Sequence, residues 1–175
     1  AEYRKSGSCK ALIVTGCLAQ RYQKEILDEI EEVDAVLGTT TYDAIAETVE
    51  KALEGRKELR FEDIDRLVPE QGGRVLTTGG HYAYLKIAEG CDKHCTYCII
   101  PRLRGHFRSV PEERLLAEEE ELAEQGVKEL ILVAQETTVY GVDLYGEKRL
   151  PQLLKKLAGI PGIRWIRVQY CYPEE

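Results

Sequence analysis

The chain has 175 residues, 43% of them hydrophobic and 31% charged, with a formal net charge of −7. This balance is typical of a soluble globular protein, and no apolar run reaches the ~18 residues that a membrane-spanning helix needs. An acidic excess disfavours nucleic acid as the direct partner, because a surface that follows phosphates normally carries a positive excess. The first residues are charged without an apolar run behind them, so we expect no signal peptide, no membrane contact and a cytoplasmic protein.

The first part of the chain alternates short strands with helices. The predicted elements are a strand at 10–16, a helix at 19–32, a strand at 33–38 and a helix at 41–53. Alternation of this kind without a hairpin signal predicts a parallel sheet. The following residues mix charges, one proline and two Gly-Gly pairs, which is typical of a linker. We therefore divide the chain into 1–58, a linker at 59–79, and a second part at 80–175.

The second part repeats the alternation over a longer stretch. Its predicted elements are strands at 82–88, 129–134 and 163–170, a cysteine-rich loop at 89–109, a polar loop at 135–148, and helices at 111–125 and 150–158. Ser109 is predicted to cap the first of these helices, and Trp165 is expected in the core. Three strands make either an open sheet or part of a parallel barrel that is cut after its third strand.

Three of the six cysteines stand close together, as Cys91, Cys95 and Cys98, in the spacing C-x3-C-x2-C. They follow a predicted strand, where parallel α/β folds place their chemistry. Without an export signal, clustered cysteines indicate metal ligands rather than disulfides. Zinc would need a fourth ligand, such as His94 or His106. Three thiolates alone fit a four-iron, four-sulfur cluster with one iron left open, and plain core thiols are the remaining possibility.

The same segment, 90–101, resembles the signature of radical S-adenosylmethionine (SAM) enzymes, including the aromatic Tyr97 before the third cysteine. Together with residues 104–105 and 108–109, it resembles the methylthiotransferase branch of that superfamily. The resemblance implies SAM as cofactor and a 4Fe–4S cluster held by the three clustered cysteines. It also implies cofactor contacts by Tyr97 and by Arg108, whose guanidinium suits a carboxylate.

Two further segments extend this resemblance. Residues 14–22 resemble the end of the family's amino-terminal domain, which implies that Cys17 is one of three ligands of a second cluster, so that the intact protein has two. Gln135 and Glu136 follow the second strand at the edge where radical enzymes contact the methionyl amine of SAM, and we expect one of them to make that contact. Cys9 and Cys171 are expected to be ordinary thiols.

The loop at 133–146 resembles the members of the family that modify an aspartate of a ribosomal protein, and Thr137, Thr138, Tyr140 and Asp143 mark that subgroup. This implies methylthiolation of the aspartate β-carbon on a small-subunit ribosomal protein, with flavodoxin or ferredoxin as electron donor. The alternatives are a tRNA adenosine methylthiotransferase, and a non-catalytic zinc or electron-transfer iron–sulfur module.

The implied fold class is α/β. Residues 1–58 would be the end of an amino-terminal methylthiotransferase domain, and 80–175 the first three βα units of a radical SAM partial (β/α) barrel. The expected upstream cysteines, later barrel strands and carboxy-terminal domain lie outside this sequence. We therefore expect an internal fragment that is inactive by itself.

Overall fold

The computed structural model describes residues 2–68 and 74–172. The chain divides into two compact units: Ala1–Gly72 with Arg102–Arg104, and Gly73–Pro101 with Gly105–Glu175. Residues 69–73 of the predicted linker lie outside the described part of the chain. No helix in the described ranges is both long enough and apolar enough to cross a membrane.

The first unit contains a parallel sheet flanked by short helices. Its elements are α1 (Glu2–Ser6), β1 (Ile13–Thr15), α2 (Cys17–Tyr22), α3 (Lys24–Glu29), β2 (Ala35–Leu37), a 3-10 turn (Tyr42–Ala44), α4 (Ile45–Leu53) and β3 (Glu58–Arg60). The strand order is β1-β2-β3, and both pairings are parallel. The central strand β2 is wholly buried, as expected for a strand that is covered on both faces.

Two details of this unit differ from the sequence prediction. The helix predicted at 19–32 is two helices, because Gln23 has a φ of 44° and interrupts it. The linker predicted from residue 59 overlaps β3, whose Glu-Leu-Arg sequence gives no apolar run. A three-residue edge strand of this kind is held by pairing with β2, which composition cannot reveal.

The second unit contains a second parallel sheet. Its elements are β4 (Tyr82–Lys86), β5 (Ala88–Glu89), α5 (Ile100–Arg104, whose last three residues group with the first unit), β6 (Arg108–Ser109), α6 (Glu112–Glu124), β7 (Glu129–Val133), α7 (Val142–Tyr145), α8 (Leu150–Leu157) and β8 (Trp165–Val168). The described strands order as β4-β7-β8, all parallel, with Tyr84 opposite Ile131. This confirms the α/β fold class and the three predicted parallel strands.

Leucines on one face of α6 and on one face of α8 form the core of this unit together with strand residues. The largest of them are Leu85, Leu130 and Leu132 from the strands, Leu115 and Leu122 from α6, and Leu153 and Leu157 from α8. Burial of each of these leucine side chains stabilises the folded state by roughly 1.5–3 kcal/mol. The expectation that Trp165 belongs to this core is wrong, since its exposed fraction is 65%. It lies on β8, the edge strand of the described sheet, where one side lacks a neighbouring strand.

The loops of this unit are more structured than their polar sequences predict. The cysteine-rich loop contains α5, β6 and the second residue of β5, and the polar loop contains α7. Ser109 does not cap α6, because Pro111 occupies the position before the helix. Ser109 instead donates its hydroxyl to Asp143.

Candidate metal and cofactor site

The cysteine loop, defined here as residues 90–107, begins directly after β5 and ends directly before β6. Its two ends are joined by the antiparallel ladder of β5 and β6, in which Ala88 faces Ser109 and Glu89 faces Arg108. Val110 continues the connection by donating its amide to the carbonyl of Ile87 at 2.9 Å. The loop is therefore closed at its base, at the carboxyl end of a strand in a parallel sheet.

Gly90 lets the two ends of the loop approach closely. Its φ is +79°, and a Cβ added there would lie 2.0 Å from the carbonyl oxygen of His106. Directly after it, the amide of Cys91 donates to the carbonyl of Gly105 at 3.2 Å. A glycine is required at this position both by the positive φ and by the close contact.

The three clustered cysteines all have free thiols. Cys91 and Cys98 are partly buried, Cys95 is exposed, and the amide of Cys98 donates to the carbonyl of Cys95 at 2.9 Å in a tight turn. Burial raises the pKa of the Cys91 thiol, and negative charge on Glu136, Cys98 and Cys95 raises that pKa further.

This donor set suits an iron–sulfur cluster, because three thiolates closely spaced in the sequence are the expected ligands of a cluster with an open iron. In the part of the chain that the structure describes, no three side chains among His, Cys, Asp and Glu are already gathered closely enough to hold a metal ion. The assignment of Cys91, Cys95 and Cys98 as ligands remains a prediction, and binding would bring the loop's sulfur atoms together.

Glu136 lies where β7 ends and has a buried side chain. One of its carboxylate oxygens accepts the amide of Thr138 at 3.0 Å, and the other lies 3.0 Å from the ammonium of Lys93. Lys93 belongs to the cysteine loop, between Cys91 and Cys95. Lys93 was not among the predicted site residues, although its place midway between two candidate ligands was a usable signal.

The other predicted cofactor contacts lie in different surroundings. Gln135 has a buried Oε1 that accepts no hydrogen bond from the described residues, so it can accept one from a ligand amine. Arg108 lies in β6 and donates to the carbonyl of His106 at 2.6 Å. Tyr97 is 91% exposed on the cysteine loop. The roles of these three side chains as cofactor contacts remain predictions.

Cys17 is the first residue of α2 in the first unit. Arg104, which groups with the same unit, donates from Nε to the Cys17 sulfur at 3.2 Å. Cys9 donates its thiol to the carbonyl of Ala11 at 3.3 Å. A role for Cys17 in a second cluster remains a prediction.

The residues that mark the subgroup hold loops together. Thr137 donates its hydroxyl to the carbonyl of Gln169 at 2.9 Å, and buried Tyr140 donates to the carbonyl of Val110 at 2.8 Å. Asp143 accepts hydrogen bonds from Ser109. These contacts tie the loop after β7 to β6 and to the end of β8, roles that spacing in the sequence could not reveal.

The geometry and the sequence motif point to the same class of protein. The profile of the radical SAM superfamily matches residues 85–174, which is more than half of the chain. The chain therefore belongs to the radical SAM superfamily, whose cofactors are a 4Fe–4S cluster and SAM.

Named relatives give a narrower similarity. The chain is 68% identical over 175 residues to the ribosomal protein uS12 methylthiotransferase RimO of Lachnoclostridium phytofermentans, an alignment that covers 100% of this chain and 40% of that protein. It is 55% identical over 174 residues to RimO of Desulforamulus reducens, covering 99% of this chain and 39% of that protein. RimO of Desulfitobacterium hafniense is 50% identical over 175 residues, with coverages of 99% and 39%. The chain thus spans about two fifths of the length of these relatives, and the predicted resemblance to the methylthiotransferase branch is confirmed.

Proposed function

We propose that the chain is the cluster-binding part of a methylthiotransferase that modifies the β-carbon of an aspartate in ribosomal protein uS12. The observation that carries the proposal is the three-cysteine loop at the carboxyl end of a parallel sheet, within a chain 68% identical to a uS12 methylthiotransferase. An acidic protein with net charge −7 also suits a basic protein partner better than a nucleic acid.

Each candidate residue has a role in this proposal. The thiolates of Cys91, Cys95 and Cys98 would hold the 4Fe–4S cluster and leave one iron for SAM. When bound, the cluster supplies the electron that cleaves SAM to a radical able to take hydrogen from an unactivated carbon. The buried Oε1 of Gln135 would accept a hydrogen bond from the methionyl amine, and the Arg108 guanidinium would attract a carboxylate.

The remaining assignments complete the proposal. Cys17 would contribute one thiolate to a second cluster, whose other ligands would come from residues outside this sequence. Tyr97 would contact SAM from the exposed side of the loop, and flavodoxin or ferredoxin would supply the electron. The reaction would take place in the cytoplasm, where ribosomes are found.

Anaerobic reconstitution with iron and sulfide tests the cluster. The wild-type chain should turn brown and bind about four iron atoms at this site, and Cys95→Ala should lose that iron. Cys171→Ala is the matched control, because it removes another exposed thiol of the same unit and should keep the iron. A colourless protein that binds zinc, or full iron content in Cys95→Ala, would refute the proposal.

A second experiment tests the substrate. The chain joined to the segments that its relatives add should increase the mass of uS12 by one methylthio group in the presence of SAM and a reductant. The 175-residue chain alone should give no product, because the resemblance implies three ligands for the second cluster and assigns one of them, Cys17, within this sequence. Modification of tRNA instead of uS12 in the same assay would favour the tRNA adenosine alternative.

A further inference from the structure

We propose that the ion pair between Lys93 and Glu136 fixes the first part of the cysteine loop to the segment that follows β7, so that Lys93 is a positioning residue for the cluster ligands. The effect on the loop is a property of this fold, whereas its consequence for a cluster rests on the proposed function.

The burial of Glu136 makes the pair more than a surface contact. Its side chain is 2% exposed, against 32% for Lys93, and the two charged groups are 3.0 Å apart. A buried carboxylate must be paired or hydrogen-bonded to remain charged. The amide of Thr138 satisfies one Glu136 oxygen, and Lys93 faces the other.

Lys93 is also held from a second side. Its ammonium lies 3.9 Å from the ring centroid of Tyr172, within the range of a cation–π contact. Tyr172 is itself fixed, since its amide donates to the hydroxyl of Thr138 at 2.9 Å. One lysine of the cysteine loop therefore connects to the segments that follow both β7 and β8.

The neighbouring contacts show why this pair matters for the loop. Residues 91–95 form neither helix nor strand, so side-chain contacts help to fix their path. Asp92 holds the side nearest the base of the loop, where its Oδ1 accepts the amide of Phe107 at 3.3 Å and lies 2.9 Å from Nδ1 of His106. Lys93, two residues from both Cys91 and Cys95, holds the side nearest β7.

The first test uses the metal-free protein. Lys93→Met and Glu136→Gln should each speed amide hydrogen exchange in residues 92–98 by roughly tenfold, with the core of β4 and β7 unchanged. Lys93→Arg keeps the charge and should restore slow exchange. Tyr172→Leu, which removes the ring contact alone, should give a smaller effect. Arg167→Met is the matched control, because it breaks the pair with Glu129 at 2.6 Å on the same sheet without touching the loop.

Alkylation of Cys91 and Cys95 by iodoacetamide separates positioning from simple electrostatics. The two substitutions change local charge in opposite directions, so electrostatics alone would slow alkylation in Lys93→Met and speed it in Glu136→Gln. Loss of positioning should speed it in both variants. Opposite effects, unchanged exchange in the loop, or faster exchange throughout the core would overturn the proposal.

The reconstituted chain supplies the last readout. Lys93→Met should shift the midpoint potential of the cluster and weaken the change in its electron paramagnetic resonance spectrum on adding SAM, while Lys93→Arg should stay near wild type. If wild-type protein takes up no cluster, the proposed function fails, and the metal-free comparison still decides the positioning role. If the cluster forms and neither variant alters the loop or the potential, the positioning role fails and the proposed function stands.

Discussion

Asp143 accepts two hydrogen bonds from Ser109, one from its backbone amide at 2.8 Å and one from its hydroxyl at 2.6 Å. The same hydroxyl accepts the amide of Gly141 at 2.9 Å. Ser109 ends β6, where the cysteine loop returns to the sheet. An aspartate in the loop after β7 therefore fastens the base of the cysteine loop.

Replacing Asp143 should weaken the fold measurably. Asp143→Ala leaves the buried Ser109 hydroxyl without its acceptor, and we expect the free energy of unfolding in urea to fall by about 1–3 kcal/mol. Asp143→Asn keeps one acceptor oxygen and should cost less. Glu124→Ala, an exposed carboxylate of the same unit, should change stability by no more than about 0.5 kcal/mol. Equal stability of Asp143→Ala and wild type would contradict this role.

The sequence predicted the features that have a recognisable local pattern. The parallel strands other than β3 followed from apolar runs, and the cysteine loop from the spacing of Cys91, Cys95 and Cys98. Short elements escaped prediction, since the two-residue strands β5 and β6 exist through pairing with each other and carry no periodic pattern.

The side-chain contacts of the site depend on tertiary structure. Lys93 and Glu136 are 43 positions apart in the sequence, and their pairing results from the parallel arrangement of β4 and β7. Asp143 and Tyr140 likewise reach residues about thirty positions away. Spacing could mark such residues as characteristic of a subgroup but could not assign their roles.

Glu119 should make the protein less stable as the pH rises. It is fully buried on α6, and neither carboxyl oxygen has a hydrogen-bond partner among the described residues. Burial raises the pKa of Glu119 from 4.5 to about 8, and the charge of Glu120 adds to the increase. Between these values the folded chain keeps a proton that the unfolded chain has lost. The contribution of Glu119 to the free energy of unfolding is thus fully present below pH 4.5 and declines as the pH rises to about 8.

Glu119→Met should remove this dependence. The variant should be more stable than wild type by roughly 2–4 kcal/mol at pH 8, and by much less at pH 5, because each pKa unit corresponds to about 1.4 kcal/mol. Urea unfolding at the two pH values measures the difference. Glu124→Met, the same substitution at an exposed position of α6, should leave the pH dependence intact. A wild-type stability that does not fall between pH 5 and pH 8 would contradict the prediction.

Asp34 in the first unit should show the opposite behaviour. Its carboxylate accepts hydrogen bonds from the guanidinium of Arg4 and from the amide of Leu12. The Arg4 contact lowers the pKa of Asp34 below 3.8, although burial opposes it. The stability that results from this contact is present above pH 3.8. It is lost as the pH falls through the pKa that Asp34 has in the folded protein. Carboxyl NMR should show that Arg4→Met raises the pKa of Asp34, while Lys24→Met, which breaks the pair with Asp28, leaves it unchanged. The same low pKa in Arg4→Met would refute this cause.

Gly90→Ala should disrupt the cysteine loop more than backbone strain alone can explain. Gly90 and Gly126 both have positive φ, +79° and +94°, but a Cβ at Gly126 meets nothing within 4 Å, whereas one at Gly90 lies 2.0 Å from the His106 carbonyl. Gly126→Ala should therefore lower the free energy of unfolding by about 1–2 kcal/mol. Gly90→Ala should cost more than about 3 kcal/mol, with faster hydrogen exchange in residues 91–98. Equal losses of stability in the two variants would contradict this prediction. They would show that Gly90 is needed only for its positive φ and not for the close approach of the His106 carbonyl.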